Sequence, residues 1–226
     1  MDSSSQSPRV GSERPARGRR APRAASGDER EQAILQTAEQ LLGLRSLAEI
    51  SVDDLAQGAG ISRSAFYFYF SSKAAVVLSL VDRVVEQVAS LREGALGKLA
   101  GDPSVAWREG IAGFYATFGA HRPVIRAVNE LGATNAEARA LWSGVMDGWV
   151  EQIAKLIEAE RARGVASALG GPARDLATAL VRMNERVLQT IFLGEAPAVQ
   201  EAVVIDTLTH VWVSAIYGGP PADATG

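Results

Sequence analysis

From residue 28 to residue 218, apolar side chains recur at intervals of three and four, and no stretch alternates long enough to make a strand domain. Behind Asp28 and Glu29, Ile34, Leu35, Ala38, Leu41 and Leu42 share one side of a first helix. The next run, SVDDLAQGAGISRSAFYFYFSSKAAV over 51–76, predicts two short helices around a tight turn. Ser51 is placed to accept from the exposed amides behind it, with Asp54 at the reciprocal capping position and Leu55, Ala56 and Ala59 as a small apolar face. Gly58 and Gly60 stop that helix, Ile61 anchors the turn, and Ser62 caps a second helix. A long helix starts around Ser72, carries Val76, Val77, Leu80, Val81, Val84, Val85 and Val88, and ends by Gly94, Gly97 and the Gly101-Asp102-Pro103 break. Further helices are predicted over 104–119, 123 to about 130, about 135–163 and 173–193, and from Pro197 to Tyr217. The pattern gives an all-α chain with no internal repeat: an arm at 1–27, a helix-turn-helix head at 28–73, a larger helical body at 74–218 and a tail at 219–226.

Two helices joined by so tight a turn suit a major groove. Arg63, Ser64 and Ala65 make the slim, polar leading turn of the second helix, while Phe66 and Phe70, four apart, point inward. Tyr67 and Tyr69 have hydroxyls for phosphates, Lys73 has a charge for them, and Ser51 and Ser62 stand at the helix ends beside them. The expected DNA-binding set is therefore Ser51, Ser62, Arg63, Ser64, Ala65, Tyr67, Tyr69 and Lys73. The same pattern also occurs in helical domains that touch no nucleic acid. A lipid or small-molecule binding protein whose head meets another protein is the competing reading.

Large rings cluster in the body. Trp107, Phe114 and Phe118 share one helix side, Trp142, Met146 and Trp149 share another, and Trp212 lies on the last helix. Asn184, in RMNER, adds an amide, so these eight residues read either as a candidate apolar pocket with one oriented polar group or as ordinary core rings beside a packed amide bonded to a helix end. Glu185 and Arg186 read as a surface or interdomain ion pair. Leu176, Leu180, Val187 and Ile191 are spaced to face Val204, Leu208, Val211 and Ile216, and two subunits would make a four-helix interface of them. Periodicity alone does not separate that interface from one subunit's core.

Charge changes the picture only locally. Residues 1–27 hold six arginines against Asp2 and Glu13, a balance of +4, so the remainder carries −7 of the chain's −3. An Arg-rich arm with much Ser, Pro and Gly is expected to be disordered, and it reads either as a segment that condenses on phosphates although the whole chain is acidic or as a solvated tail with no role in binding. Charged residues interrupt every apolar stretch before membrane-spanning length, and the chain has no cysteine. A cytoplasmic protein without disulfides is expected. His121 and His210 are the only histidines and form no metal motif, Asp53 and Asp54 do not share a helix face, and the glycines at 58–60 lack a phosphate loop's lysine. No catalytic residue, metal or cofactor is expected.

Ser51, Leu55, Ala56, Ala59, Gly60 and Ile61, followed by Ser62, Phe66, Tyr67, Tyr69, Phe70 and Lys73, closely resemble the N-terminal domain of the TetR family of bacterial transcriptional regulators. Ser71, before Ser72 and Lys73, stands where family members often have proline, and a serine there can still cap the long helix. WREGI from Trp107, FYATFG from Phe114, LWSGVMDGW from Leu141, MNER from Met183 and HVWVSAIYG from His210 resemble one actinobacterial and mycobacterial branch of that family. Members of the branch repress a flavin-dependent Baeyer-Villiger monooxygenase gene. The resemblance covers nearly all of residues 28–218 and implies a homodimer on operator DNA, released by a hydrophobic small molecule held in a long tunnel lined by the pocket residues named above. Val181, Gln152 and Ile125 stand where that branch has an asparagine, a tyrosine and a threonine, so the resemblance does not carry over the same ligand.

Overall fold

Caps fix the register of the helices. A computed structural model describes residues 26–96, 101–168 and 171–218, so the expectations for the arm before Ser26 and for the tail lie outside the described residues. Among the described residues the chain forms α1 (Gly27–Leu42), α2 (Val52–Gly58), α3 (Arg63–Tyr69), α4 (Lys73–Leu96), α5 (Pro103–Ala120), α6 (Arg122–Thr134), α7 (Ala136–Ala162), α8 (Ala173–Leu193) and α9 (Val204–Tyr217). Ser51 Oγ accepts from the Asp54 amide at 3.1 Å, and the Asp54 carboxylate accepts from the Ser51 amide at 2.8 Å. The Ser51 hydroxyl and amide hold the Asp54 carboxyl below its ordinary range. Asp102 caps α5 ahead of Pro103, Asn135 caps α7, and Gly194, at φ 69°, closes α8 in the left-handed conformation. Ser72, not Ser71, caps α4: its hydroxyl accepts from the Ala75 amide at 3.1 Å.

The structure departs from the sequence pattern before α2 and before α9. A 3₁₀ turn, Leu47–Glu49, stands between α1 and α2, closed by reciprocal Ser46–Glu49 bonds. The last helix begins at Val204 and not at Pro197. In the segment before it, the Glu201 carboxylate accepts from Tyr115 on α5 at 2.6 Å and from Arg122 on α6 at 2.8 Å, which ties that segment to the body.

The head closes on a small-residue crossing. A Cβ placed on Gly58 would stand 2.3 Å from Cγ2 of Thr37, so α2 lies against α1 only because residue 58 has no side chain. Gly58→Ala is expected to cost the head about 1–3 kcal/mol by overpacking. Denaturant unfolding should show the loss in the single variant and its recovery when Thr37→Ser removes the obstructing methyl.

The described residues form two apolar cores. Ile34, Leu35, Leu55 and Phe66 of the head pack with Val76, Val77, Leu80 and Val81 of α4 and with Val124, Ala127 and Val128 of α6. The body core gathers Trp107, Ile111, Phe118, Met146, Trp149, Ile157, Leu188, Leu208 and Trp212. The boundary expected after residue 73 therefore runs through the head's own core, which extends into α4 and α6. Helix α6 belongs to both cores, since Ile125, one residue after Val124, packs in the body. His121 Nδ1, at the corner entering α6, also pairs with the Glu39 carboxylate of α1.

Candidate functional site

The exposed face of α3 is narrow. Ser62 caps the helix, its hydroxyl accepting from the Ala65 amide at 3.2 Å and bonding Ser64 Oγ at 2.9 Å. Ala65 is half-buried, Phe66 and Phe70 are buried as their spacing predicts, and Arg63, Ser64 and Tyr67 face outward. Arg63 does not stand free. Its guanidinium donates to Asp53 of α2 at 2.5 Å and to the Tyr67 hydroxyl at 3.4 Å, and the Asp53 carboxylate, ahead of Tyr67, raises its pKa further above the usual range. Phe68, absent from the expected set, is 83% exposed and touches Tyr69 edge to face. Its position two residues from both Phe66 and Phe70 puts it on the opposite side of the helix, so the signal was present in the spacing. Tyr69 is half-buried.

Lys73 is placed differently from the expectation. Its ammonium donates to the carbonyls of Leu47 at 2.7 Å and Ile50 at 2.9 Å, with Ala48 at 3.4 Å, so its three protons tie the start of α4 to the turn before α2. It positions the start of α4 in the head, a role that the expected phosphate contact did not include. Lys73→Met keeps the apolar stem and is expected to lower stability by about 1.5–3 kcal/mol. The salt dependence of DNA binding should stay unchanged, whereas removal of a phosphate contact would lower the log–log salt slope by about one.

The aromatic residues surround two adjoining cavities. Trp107, Phe114, Trp149, Asn184 and Trp212 line a small one of about 70 Å³. Phe114, Phe118 and Trp142 line a wider one of about 590 Å³ between α6, α7 and α8. Phe114 and Glu185 border both. Met146 borders neither: it is buried among the body core side chains, a correction to its expected place in the wall. The wider cavity lies within the range of about 300–1,000 Å³ usual for small-molecule sites, and the smaller one lies well below it.

Polar anchors hold the indole rings. Trp212 Nε1 donates to Asn184 Oδ1 at 2.9 Å, Trp142 Nε1 to Glu185 Oε1 at 2.5 Å, and Trp107 Nε1 to the Tyr217 hydroxyl at 3.0 Å. Tyr217 in turn donates to Glu160, which Arg163 pairs, and burial pushes the phenol's pKa up to about 12. With these N–H groups engaged, the rings offer apolar faces. Asn184 thus reaches the pocket as expected but spends its carbonyl on Trp212. Glu185, read from sequence as half of an ion pair with Arg186, instead pairs with Arg182 at 2.8 Å and joins the pocket wall.

The eight residues expected at a subunit interface divide. Leu180, Ile191, Val204, Leu208 and Ile216 are buried in the subunit's own core, because α8 packs chiefly on α7 and α9 chiefly on α5. Leu176 and Val187, with Met183 on the same helix, are half-buried and pack partly against that core, and Val211 is 36% exposed, so these are the positions on α8 and α9 that keep accessible apolar surface. Among the described residues no group of three or more acidic, histidine or cysteine side chains is arranged to hold a metal, and no single helix is long and apolar enough to cross a membrane.

Residues 34–80 match the family described as bacterial regulatory proteins of the tetR family, and residues 107–218 match the C-terminal domain of the transcriptional regulator EthR. The HTH-type transcriptional regulator EthR of Mycobacterium tuberculosis (strain ATCC 25618 / H37Rv) is 54% identical over 207 residues, covering 89% of this chain and 93% of the relative. The protein of the same name from Mycolicibacterium smegmatis is 48% identical over 208 residues, covering 92% and 95%. A putative TetR-family regulator from Syntrophomonas wolfei has the same fold, with a TM-score of 0.71 at 17% identity over 87% of this chain and 99% of that one.

Proposed function

This chain belongs to the TetR family of bacterial regulatory proteins, in the branch of the transcriptional regulator EthR, and from that premise we propose that it is a dimeric repressor released from operator DNA by a hydrophobic small molecule. The observation that carries the reading is Val128, which borders the wide cavity and is also buried in the core that supports α3. A ligand changes DNA affinity only if it binds the DNA-competent and DNA-incompetent arrangements differently. Helix α6 forms one wall of the cavity and part of the head's core, so a ligand that displaces it acts on the reader through one shared element.

Arg63, Ser64, Tyr67 and Phe68 are the surface offered to the groove. Two such surfaces, joined through the outer faces of α8 and α9 at Leu176, Met183, Val187 and Val211, would read two half-sites of a palindrome. The protein acts on chromosomal DNA in the cytoplasm, its target is a nearby monooxygenase gene, and it binds without catalysis. Genomic DNA affinity selection with the full chain tests this. A recovered palindromic duplex should bind much more tightly than its shuffled sequence, with affinity that falls as salt rises; equal affinity for the two would sink the reading.

A further inference from the structure

The wide cavity is amphipathic, and its polar side has a sign. Phe118, Ile125 and Phe192 give it an apolar lining, while Arg139 and Arg182 contribute two guanidinium groups against the single carboxylate of Glu185. Glu185 is already engaged, by Trp142 through one oxygen and by Arg182 through the other. Arg182 commits one N–H to that pair, and Arg139 commits one to the Gly132 carbonyl at 3.0 Å. A guanidinium has five N–H donors, so each arginine retains most of its capacity, and Arg139 faces no carboxylate partner among the described residues. Both arginines are exposed, as expected of a mouth.

We propose that this cavity binds a single-chain amphiphile with an anionic headgroup, a long-chain carboxylate. Its headgroup lies at Arg139 and Arg182 and its alkyl chain lies along Phe118, Ile125 and Phe192. Carboxylates suit guanidinium because two parallel N–H bonds form in one plane. The volume suits a small ligand, and Phe114, shared with the tryptophan-lined cavity, marks where a longer chain passes inward. The inference deepens the effector part of the regulatory reading and rests on it.

Calorimetric titration of the full chain with dodecanoate, dodecanol and dodecylammonium, each below its micelle concentration and without DNA, tests it. Dodecanoate is expected to bind about tenfold more tightly than dodecanol, with dodecylammonium weakest. In the Arg139→Gln/Arg182→Gln double variant that preference should vanish while dodecanol affinity stays at the wild-type level, which also shows that the cavity remains folded. Equal affinity for dodecanoate and dodecanol, tightest binding of dodecylammonium, a preference that survives in the double variant, or no binding by any of the three would overturn the proposal. DNA is absent, so these outcomes are separate from a failure of operator binding. Conversely, dodecanoate that binds as described and leaves operator affinity unchanged would count against the regulatory reading alone.

Discussion

The Phe66→Ala protein is expected to lose about 3–5 kcal/mol of head stability and, with it, operator binding. Phe66 is fully buried, edge-on to Tyr67 at 5.6 Å and tilted against Phe70 at 6.2 Å, at the centre of the core that α1, α2, α3, α4 and α6 share. Truncating its ring leaves a cavity that this core closes only by moving α3, which is the reader. The body should respond differently. All four tryptophans lie in it, and Trp107, Trp149 and Trp212 are buried in the separate body core. Denaturant unfolding followed by far-ultraviolet circular dichroism should therefore shift strongly. Tryptophan fluorescence should shift less, since of the four indoles only Trp142 also packs against the head's core. Coincident, unshifted transitions would place Phe66 outside any cooperative core.

Arg63→Ala should cost about 1–3 kcal/mol of operator binding, with a larger loss on the operator than on a shuffled duplex. Arg63 is the only cationic residue of α3, and it lies on the helix's leading turn. In the unbound protein its partner is Asp53, and both side chains are more than half exposed, so the pair adds little to stability and an incoming base or phosphate can replace the carboxylate. Asp53→Asn should accordingly strengthen binding to both duplexes while stability stays nearly constant. Fluorescence anisotropy of the two variants on both duplexes measures these effects. An Arg63→Ala protein with undiminished affinity would remove Arg63 from the interface.

Features set by neighbours along the chain were legible in the sequence, and features set by distant contacts were not. Ser51 with Asp54, Asn135 at the start of α7 and the bounds of α8 are local chemistry, so capping rules and the helical period reveal them. The bonds of Lys73 are not legible, because its partners, the carbonyls of Leu47 and Ile50, come from a turn more than twenty residues away that only folding brings near. The apolar faces of α8 and α9 were recognised, but periodicity shows that a face must be covered without showing what covers it. Val204, Leu208 and Ile216 are covered within the subunit. Most of the pocket residues were legible as large rings at helical spacing, whereas Met146 fills core and Glu185 joins the wall because an indole N–H on α7 recruits it. The role of α6 was not legible, since one short amphipathic helix gives no sign that its two sides serve different cores.

Operator affinity with and without effector is the most direct measure of ligand control. Anisotropy of the genomically selected duplex would be titrated with the protein alone and with a saturating extract fraction that perturbs its tryptophan fluorescence. Operator affinity is expected to fall about 5–150-fold when the cavity fills, and ligand affinity to fall by the same factor when operator is bound, because the coupling is reciprocal. A ligand that saturates the cavity and leaves operator affinity unchanged would contradict the central claim.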